Sequence, residues 1–563
     1  MRREIAALGQ QEYDLLIVGG GAFGACAVWD AALRGLSVAL VDRGDFSAAT
    51  SANHFKMVHG GIRYLQHADL PRLRESSQER RALLRTAPHL VRPLPIVIPT
   101  YGHGRQGKTF LAAGLYLYDL LTCDRNRGLQ DPARRIPRGR LLSRQECLAL
   151  FPEIEPRGLT GAALFADGQM VHPPRLALAY IQAAVQAGAQ AVNYLEVSHF
   201  LRRGDRVYGV SGYDVLNGNA VEIRAKVTLN AAGPWAPRLL AEGLGLPWHP
   251  PLTFSRDACF VVPRRLVGEY ALAVQGSTKD PDTLLSRPHR HLFLVPWRHA
   301  TLVGVWHVVH TGAPDAFTVT EKDLQGFLDE INAAYPALAL TLQDISRWHA
   351  GLVLFGENRP GATDLRYGKR SVLVDHALTH QVQGLISLIG VRATTSRGMA
   401  ARAVDLACRH LGRKVPRSRT AVTPIWGGQI ENVDTFFKQA TAQWQHTLPA
   451  EVIGSLVHNY GSEYHHLLTD LEAHPTWRER LGESTTIKAE VIHGVRQEMA
   501  QKLSDIVFRR TDLGTAGHPG DAALQTCAEL MAAELGWNDA RRHQELAEVR
   551  AAFPAFSQAI TAP

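Results

Sequence analysis

A chain of 563 residues with 45% hydrophobic and 20% charged side chains is long enough for two to four structural units, and apolar enough to bury large cores. The formal charge of +8 suggests nucleic acid, an anionic membrane or an anionic substrate as partner; scattered arginines without a Lys/Arg run or interleaved aromatics argue against nucleic acid. Six separated cysteines (Cys26, Cys123, Cys147, Cys259, Cys408 and Cys527) with no C-x-x-C indicate free thiols in a reducing cytosol and no metal site, and no window reaches the roughly 20 apolar residues of a spanning helix.

Arg2 and Arg3 before an apolar stretch mimic a secretion signal, but Glu4, Glu12 and Asp14 interrupt it. Asp14–Val18 has the length of a buried strand. Gly19, Gly21 and Gly24 follow it as G-x-G-x-x-G, with Gly20, Ala22 and Phe23 between them. Ala22–Arg34 is Ala-rich and free of proline, so it reads as a helix closed by Gly35. Ser37–Val41 is a second strand, ended by Asp42. This βαβ unit predicts a dinucleotide site: close backbone approach at Gly21, pyrophosphate on the helix N-terminus and ribose hydroxyls on Asp42. The acid favours an unphosphorylated adenosine ribose, leaving FAD and NAD both open.

Arg43–Lys56 is small and polar, a loop suited to phosphates. Leu73–Leu90 is charged and helical. Phe110–Tyr118 is an apolar helix flanked by Arg105, Lys108, Arg125 and Arg127, which suits either a core position or the headgroups of an anionic membrane. Leu142–Phe151 is a short helix, Gly161–Val171 a hairpin or strand-turn, and Pro174–Ala187 a strong helix. Ala191–Val197, Val207–Val215 and Val221–Leu229 read as an antiparallel meander ending in Ala-Ala-Gly-Pro-Trp235. Short apolar strands at Cys259–Val262, Leu292–Val295, Leu302–Val305 and Val372–Val374 suggest a substrate-covering sheet, interrupted by a helix near Glu321–Ala334. Leu385–Gly390, a loop and the helix Met399–Leu411 return the chain to the first unit. Beyond about residue 420 amphipathic helices dominate: Val433–Gln445, Ala450–Tyr460, Ser462–Glu472, Ile487–Lys502, Ala523–Leu535 and Asn538–Ala552. The expected fold is α/β: a Rossmann-like dinucleotide-binding domain, an inserted β-sheet substrate domain and an all-helical C-terminal cap. The expected partition is 12–100, 161–250 and 381–420 for the dinucleotide domain, 101–160 for a helical insertion, 251–380 for the substrate domain and 421–563 for the cap.

The glycine fingerprint, Thr50-Ser51, Lys56-x-x-His59-Gly60-Gly61-x-Arg63-Tyr64, Ala231-Ala-Gly-Pro-Trp235 and Val295-Pro-Trp297 together resemble the FAD-dependent glycerol-3-phosphate dehydrogenases. So does the tail, with Tyr460-Gly-Ser462 and Glu498 through Asp505 to Arg509-Arg-Thr-x-Leu-Gly514. The resemblance spans residues 12 to 550 and implies FAD as cofactor. It also implies hydride transfer from the alcohol carbon to flavin N5, electrons passed to quinone or another acceptor, and a place on the inner membrane face as a homodimer or monomer. The implied flavin shell adds to the glycine turn and Asp42 the residues Arg43, Thr50, Ser51, Lys56, His59, Gly60, Gly61, Val197, Ala232, Gly233, Trp235, Gly390, Arg392, Ala393 and Thr394.

Arg63 matches the family's substrate-contacting arginine, with Tyr64 beside it, and a guanidinium suits a phosphate tail. Four segments depart from the family pattern. Arg392-Ala-Thr-Thr395 replaces Lys-x-Thr-Thr, and Cys259 stands where the family has an active-site histidine. Gly351-Leu-Val-Leu354 replaces Gly-Val-Arg-Pro, and Gly304-Val-Trp-His307 replaces Gly-Thr-Thr-Asp. His307 and His349, inside altered segments, are the candidate bases, and Arg256 or Arg370 the candidate replacement clamps. His59 is expected to support the flavin loop, and Cys259 to be an inert core thiol. Three readings stand at this stage: glycerol 3-phosphate oxidation, oxidation of another hydroxy or amino compound, and a flavin-binding interaction protein with a decayed site.

Overall fold

The computed structural model describes residues 1–102, 108–249, 251–279, 289–360 and 365–555. Arg105 lies outside the described residues, as do the side chains of Lys108 and Phe110.

Two sheets organise the chain. The first runs, in spatial order, Val372–Asp375, Leu385–Ile389, Ala220–Asn230, Glu12–Val18, Val38–Val41 and Gln190–Val192. Along this path the strands are parallel except the antiparallel edge Val372–Asp375, and Arg206–Asp214 joins the same sheet antiparallel to Ala220–Asn230, carrying Leu195–Arg203 with it. Parallel sheets are covered on both faces, and the Glu12–Val18 strand shows it. Leu15 and Ile17 face the helices Ala22–Leu33, Pro173–Gln186 and Ser396–His410. Leu16 and Val18 face the other way, onto Val197, Phe200 and Val210 of the antiparallel strands Leu195–Arg203 and Arg206–Asp214. The first helix packs close because it is made of small residues: a Cβ at Gly24 would lie 1.8 Å from the Gly19 carbonyl oxygen.

The second sheet has nine strands, in the order Arg347–Phe355, Thr253–Val262, Ala300–His310, His289–Trp297, Ala271–Lys279, Val91–Tyr101, Leu159–Met170 and Met57–Val58, with Arg140–Leu142 also on Leu159–Met170. One face packs Phe260, Val262 and Leu294 against Leu324, Phe327 and Ile331 of the helix Glu321–Ala334. The opposite face carries Cys259, Val261, Trp297 and Leu302 and is turned toward Phe55 and Met57 of the loop after Asp42.

Several elements differ from the sequence expectations. Gly161–Val171 is not a hairpin: Leu159–Met170 is one long strand because Val91–Tyr101, Met57–Val58 and Arg140–Leu142 all pair with it. Ala191–Val197 is not one meander strand. Tyr194, at φ +54, breaks it, so Gln190–Val192 joins Val38–Val41 in parallel and a new strand starts at Leu195. The long strands at 91–101 and 159–170 pair in the second sheet rather than with the dinucleotide unit, and Val372–Asp375 pairs in the first. A helix expected over Ile487–Lys502 ends at Glu498, where Met499 is left-handed at φ +57.

The C-terminal helices are tied to the first sheet by buried charge. The Asp45 carboxylate accepts hydrogen bonds from Arg509 Nε at 2.6 Å, Arg510 Nη1 and Nη2 at 2.7 Å each, and Asn193 Nδ2 at 3.0 Å. Arg175 Nη1 donates to both oxygens of Glu498, at 2.7 and 2.6 Å. Tyr194 donates its hydroxyl proton to Asp505 at 2.6 Å.

Among the described residues no helix is long and apolar enough to cross a membrane. The Lys108–Leu121 helix buries Leu115 and Tyr118 but leaves Tyr116 76%, Leu117 45% and Leu120 61% exposed.

Candidate functional site

The glycine turn is built for close approach. Gly19, at φ +109, sits 2.6 Å (measured from an added Cβ) from the Ala231 carbonyl oxygen, so only glycine fits between the two central strands. Gly20 donates its N–H to Asp42 Oδ2 at 2.6 Å, and Gly44 donates to Oδ1 at 2.9 Å. Asp42 thus pins the turn to the loop that follows, and each oxygen keeps a further lone pair for a ribose hydroxyl. Burial raises the Asp42 carboxyl to about 6. At Gly21 a Cβ would meet only the Ser51 side chain, its hydroxyl at 3.0 Å; this is the cradle over the first helix. Ser51 Oγ accepts the Ala22 N–H at 2.9 Å, and Thr50 Oγ1 donates to the Leu352 carbonyl at 3.0 Å. Gly233, at φ +57, has nothing within 4 Å of an added Cβ. Beside it, Trp235 Nε1 and Arg43 Nη2 both donate to Asp315 Oδ1, at 2.8 and 2.7 Å, and the Arg43 guanidinium lies 4.5 Å from the Trp235 ring. Phe23 backs onto Gly390, where a Cβ would come within 1.8 Å of its ring. Val197 is buried under the sheet with Val18 and Val41.

The motif at His59–Gly61 is held from behind. Asp167 Oδ1 accepts the Gly60 N–H at 2.7 Å and Arg80 Nη1 at 2.8 Å, inside the protein. The His59 N–H donates to Thr394 Oγ1 at 3.1 Å, joining this segment to the 393–395 turn that starts the Ser396–His410 helix. Gly390, Ala393 and Thr394 therefore face His59–Gly61 across the end of the first sheet. These residues fit a flavin dinucleotide: a helix N-terminus, a Cβ-free cradle, an acid at the end of the second strand, and two glycine-bearing turns returning from distant sequence.

Next to this lies a cluster of cations and aromatic rings. Arg392 Nη1 donates to the Tyr64 hydroxyl, and its guanidinium lies 5.0 Å from the Tyr64 ring. Arg63 lies 5.0 Å from the ring of Tyr367, and Arg290 lies 3.6 Å from the same ring. His307 meets Tyr367 edge-on at 4.8 Å and stacks on Phe355 at 6.2 Å. His307 Nδ1 donates to Asp257 Oδ1 at 2.7 Å, and Ser255 Oγ donates to the same oxygen at 2.6 Å. This fixes the tautomer and leaves Nε2 as an acceptor. Contacts thus join Arg392 to Tyr64, and Arg63 and His307 to the one ring of Tyr367, with Arg63 and Tyr64 adjacent in the chain.

It does not bring His349 there. His349 and Cys259 are register partners, as are His307 and Asp257 two residues along the same strand. The Phe55 ring lies over Gly304, and Thr50 over Gly351, so the loop crosses the sheet face between the two histidines. Lys56 sits on the His349 side, buried, with Nζ 4.6 Å from the Trp297 ring. Arg256 does not act as a clamp either. It binds Asp323 Oδ2 at 3.0 Å and lies 5.3 Å from the Trp306 ring, on the face away from the loop. Arg370 is exposed. Cys259 is 2% exposed, and burial pushes its thiol up to about 11, so it is no nucleophile. Sequence reasoning missed Tyr367, Asp257, Asp167 and Asp315. Asp257 had a weak signal, two positions from Cys259 on a strand and so on the same face; the other three carried none.

Fold and site define a flavin-dependent oxidoreductase with a two-sheet core. Residues 14–406 match the family model described as FAD dependent oxidoreductase, and residues 418–542 match the C-terminal domain of alpha-glycerophosphate oxidase. A glycerol-3-phosphate dehydrogenase from Synechocystis sp. is 30% identical over 544 residues, covering 93% of each chain. The mitochondrial glycerol-3-phosphate dehydrogenase of Mus musculus is 31% identical over 562 residues, 95% of this chain and 72% of the mouse protein. The solved glycerol-3-phosphate dehydrogenase from Bacillus halodurans, complexed with FAD, superposes with a TM-score of 0.75 at 24% identity, over 97% of this chain and 96% of that one, and shows the same fold. The chain belongs to the FAD-dependent glycerol-3-phosphate dehydrogenase family. It is an FAD-dependent oxidoreductase.

Proposed function

We propose that the protein oxidises a small phosphorylated polyol of the glycerol 3-phosphate type, in the cleft between the His59–Thr394 junction and the face of the second sheet. The relatives, which are glycerol-3-phosphate dehydrogenases, support the substrate, and one observation carries the reading: a carboxylate-oriented histidine and Arg63 meet the same Tyr367 ring, beside the Tyr64–Arg392 pair. FAD, held by the shell named below, would supply the hydride acceptor for the alcohol carbon. Arg63 and Arg392 hold the anionic end of the substrate, and Tyr64 keeps Arg392 in place. His307 Nε2 takes the hydroxyl proton, and Asp257 stabilises the imidazolium that forms. The FAD shell comprises the glycine turn with Asp42, Arg43, Thr50, Ser51, His59–Gly61, Gly233, Trp235, Gly390, Ala393 and Thr394. Electrons pass on to a quinone or another acceptor. The exposed Tyr116, Leu117 and Leu120 rest on an anionic membrane surface as a peripheral contact, on the cytoplasmic side.

The test is anaerobic addition of glycerol 3-phosphate to the FAD-loaded protein. Rapid loss of flavin absorbance is expected, slowed about 10²–10⁴-fold in His307→Asn, the range for loss of a general base. A flavin that stays oxidised with glycerol 3-phosphate but bleaches with another hydroxy or amino compound would move the assignment to that compound. Cys259 and Gly351–Leu354 favour this second reading, because they put uncharged side chains where the family has a histidine and an arginine.

A further inference from the structure

Behind the loop at 48–56, on the side away from the glycine turn, lies a cavity of about 60 Å³ shared by that loop, the second sheet and the C-terminal unit. A water-sized sphere takes roughly 10–15 Å³ by the same measure, so there is room for about four to six heavy atoms. Its walls are cationic. Lys56 is 2% exposed; Nζ donates only to the His54 carbonyl at 3.3 Å and otherwise faces the Trp297 ring. Arg347 donates to the Gly514 carbonyl at 2.7 Å and lies 3.9 Å from the Phe508 ring. Neither forms an ion pair with a carboxylate among the described residues. Arg509 also reaches the cavity, but Asp45 and Asp505 neutralise it. Lys56 is buried and Arg347 half-buried; cationic groups held there without a counter-charge are costly, burial pulls the Lys56 ammonium down to about 7, and a bound anion offsets that cost. Lys56 moreover sits at φ +59, a conformation that a bulky residue adopts only where its surroundings demand it.

The histidines specify the anion further. His172 has both ring nitrogens engaged, Nε2 with the Thr511 carbonyl at 3.1 Å and Nδ1 with the Arg175 N–H at 3.4 Å. His349 is 5% exposed. Its Nδ1 donates to Asn53 Oδ1 at 3.3 Å, and its Nε2 is buried with no hydrogen-bond partner among the described residues. That nitrogen is an acceptor. An anion suited to this cavity therefore presents oxygens to two cations and one O–H to an imidazole. Inorganic phosphate keeps a proton at neutral pH and does so; sulfate does not.

We infer that this cavity binds a free, singly or doubly charged hydrogen phosphate between Lys56, Arg347 and His349, at the seam between the flavin loop and the C-terminal unit. The space suits the free ion and not a phosphorylated polyol. This site stands apart from the Arg63–Tyr64–Arg392 cluster and does not rest on the function proposed above. Equilibrium dialysis of the FAD-loaded protein against radiolabelled inorganic phosphate in chloride buffer tests it, using wild type and Arg392→Met, which removes the substrate clamp. In Arg392→Met one saturable equivalent of phosphate is expected, with sulfate competing at least tenfold more weakly. Arg347→Met abolishes that equivalent, and His349→Phe retains it while losing the preference over sulfate. Absence of saturable phosphate binding in Arg392→Met overturns the inference, as does sulfate competing equally in that protein. Displacement by glycerol 3-phosphate overturns the assignment to the free ion. If Arg347→Met fails to fold, the phosphate and sulfate titrations of Arg392→Met still decide.

Discussion

Asp45→Asn tests how firmly the C-terminal unit holds the flavin loop. The carboxylate is 2% exposed and accepts from three guanidinium nitrogens at 2.6–2.7 Å. Burial alone would raise this carboxyl, but Arg510 and Arg509 outweigh it and hold Asp45 at about 2. The gap from an ordinary aspartate corresponds to roughly 2–3 kcal/mol at neutral pH. The substitution also leaves buried Arg510 facing a neutral amide, with the Glu498 carboxylate 3.9 Å from its Nε, while Arg509 keeps Asp505; breaking such a buried pair from one side costs about 3–5 kcal/mol. Each 1.36 kcal/mol is a factor of ten, so amide protection in the Lys488–Glu498 helix should fall about two to four orders of magnitude at pH 7. Hydrogen exchange read by mass spectrometry measures this helix by helix. The sign with pH follows from the depressed carboxyl: its contribution is present above about pH 4 and lost as pH falls through about 2. Wild type and Asp45→Asn therefore converge in acid. A change of less than tenfold at pH 7 would refute the claim that this cluster locks the unit.

Four further outcomes follow from the geometry. Gly390→Ala drives a methyl into the Phe23 ring at 1.8 Å; FAD retention after dialysis should drop, and Phe23→Leu in the same chain should restore part of it. Asp257→Asn leaves the His307 base but removes its orientation; anaerobic flavin reduction should slow about tenfold or more, with the pH dependence of the rate displaced. Arg392→Met should raise the KM for glycerol 3-phosphate far more than it lowers kcat with a neutral polyol, whereas equal effects on both substrates would deny it a phosphate contact. Leu120→Glu, on the exposed apolar face, should abolish co-sedimentation with anionic vesicles without altering flavin content; unchanged sedimentation would remove this helix from the membrane contact.

The opening βαβ unit of the first sheet was legible because its signals are local. A strand-length apolar run, three glycines and an acid lie within thirty residues, and each has one physical purpose. The helices beyond residue 420 were legible for the same reason, as apolar positions at helical spacing. Partnership between strands was not. Nothing in Leu159–Met170 says that three other strands, from 57, 91 and 140, will pair with it, since register is a property of the pair. The site divided likewise. The flavin-facing turns follow from motifs, but Tyr367 and Asp315 act from loops without periodicity. His307 and His349 looked equivalent in sequence, both in segments that depart from the family pattern. Only the path of Thr50 and Phe55 across the sheet separates them.

The Asp45 cluster also sets an order of events. Asp45 lies three residues beyond Asp42, yet the guanidiniums that neutralise it belong to residues 509 and 510. The central strand likewise waits for a neighbour at 220–230, which itself waits for 385–389. A ribosome makes the cofactor turn more than 450 residues before its locking partners. Until then the nascent chain carries an unfinished dinucleotide cradle, with a buried-type carboxylate still in water. Stable capture of the cofactor waits for residues 509 and 510 to emerge, and a chain truncated shortly before residue 509 would be unable to close around it.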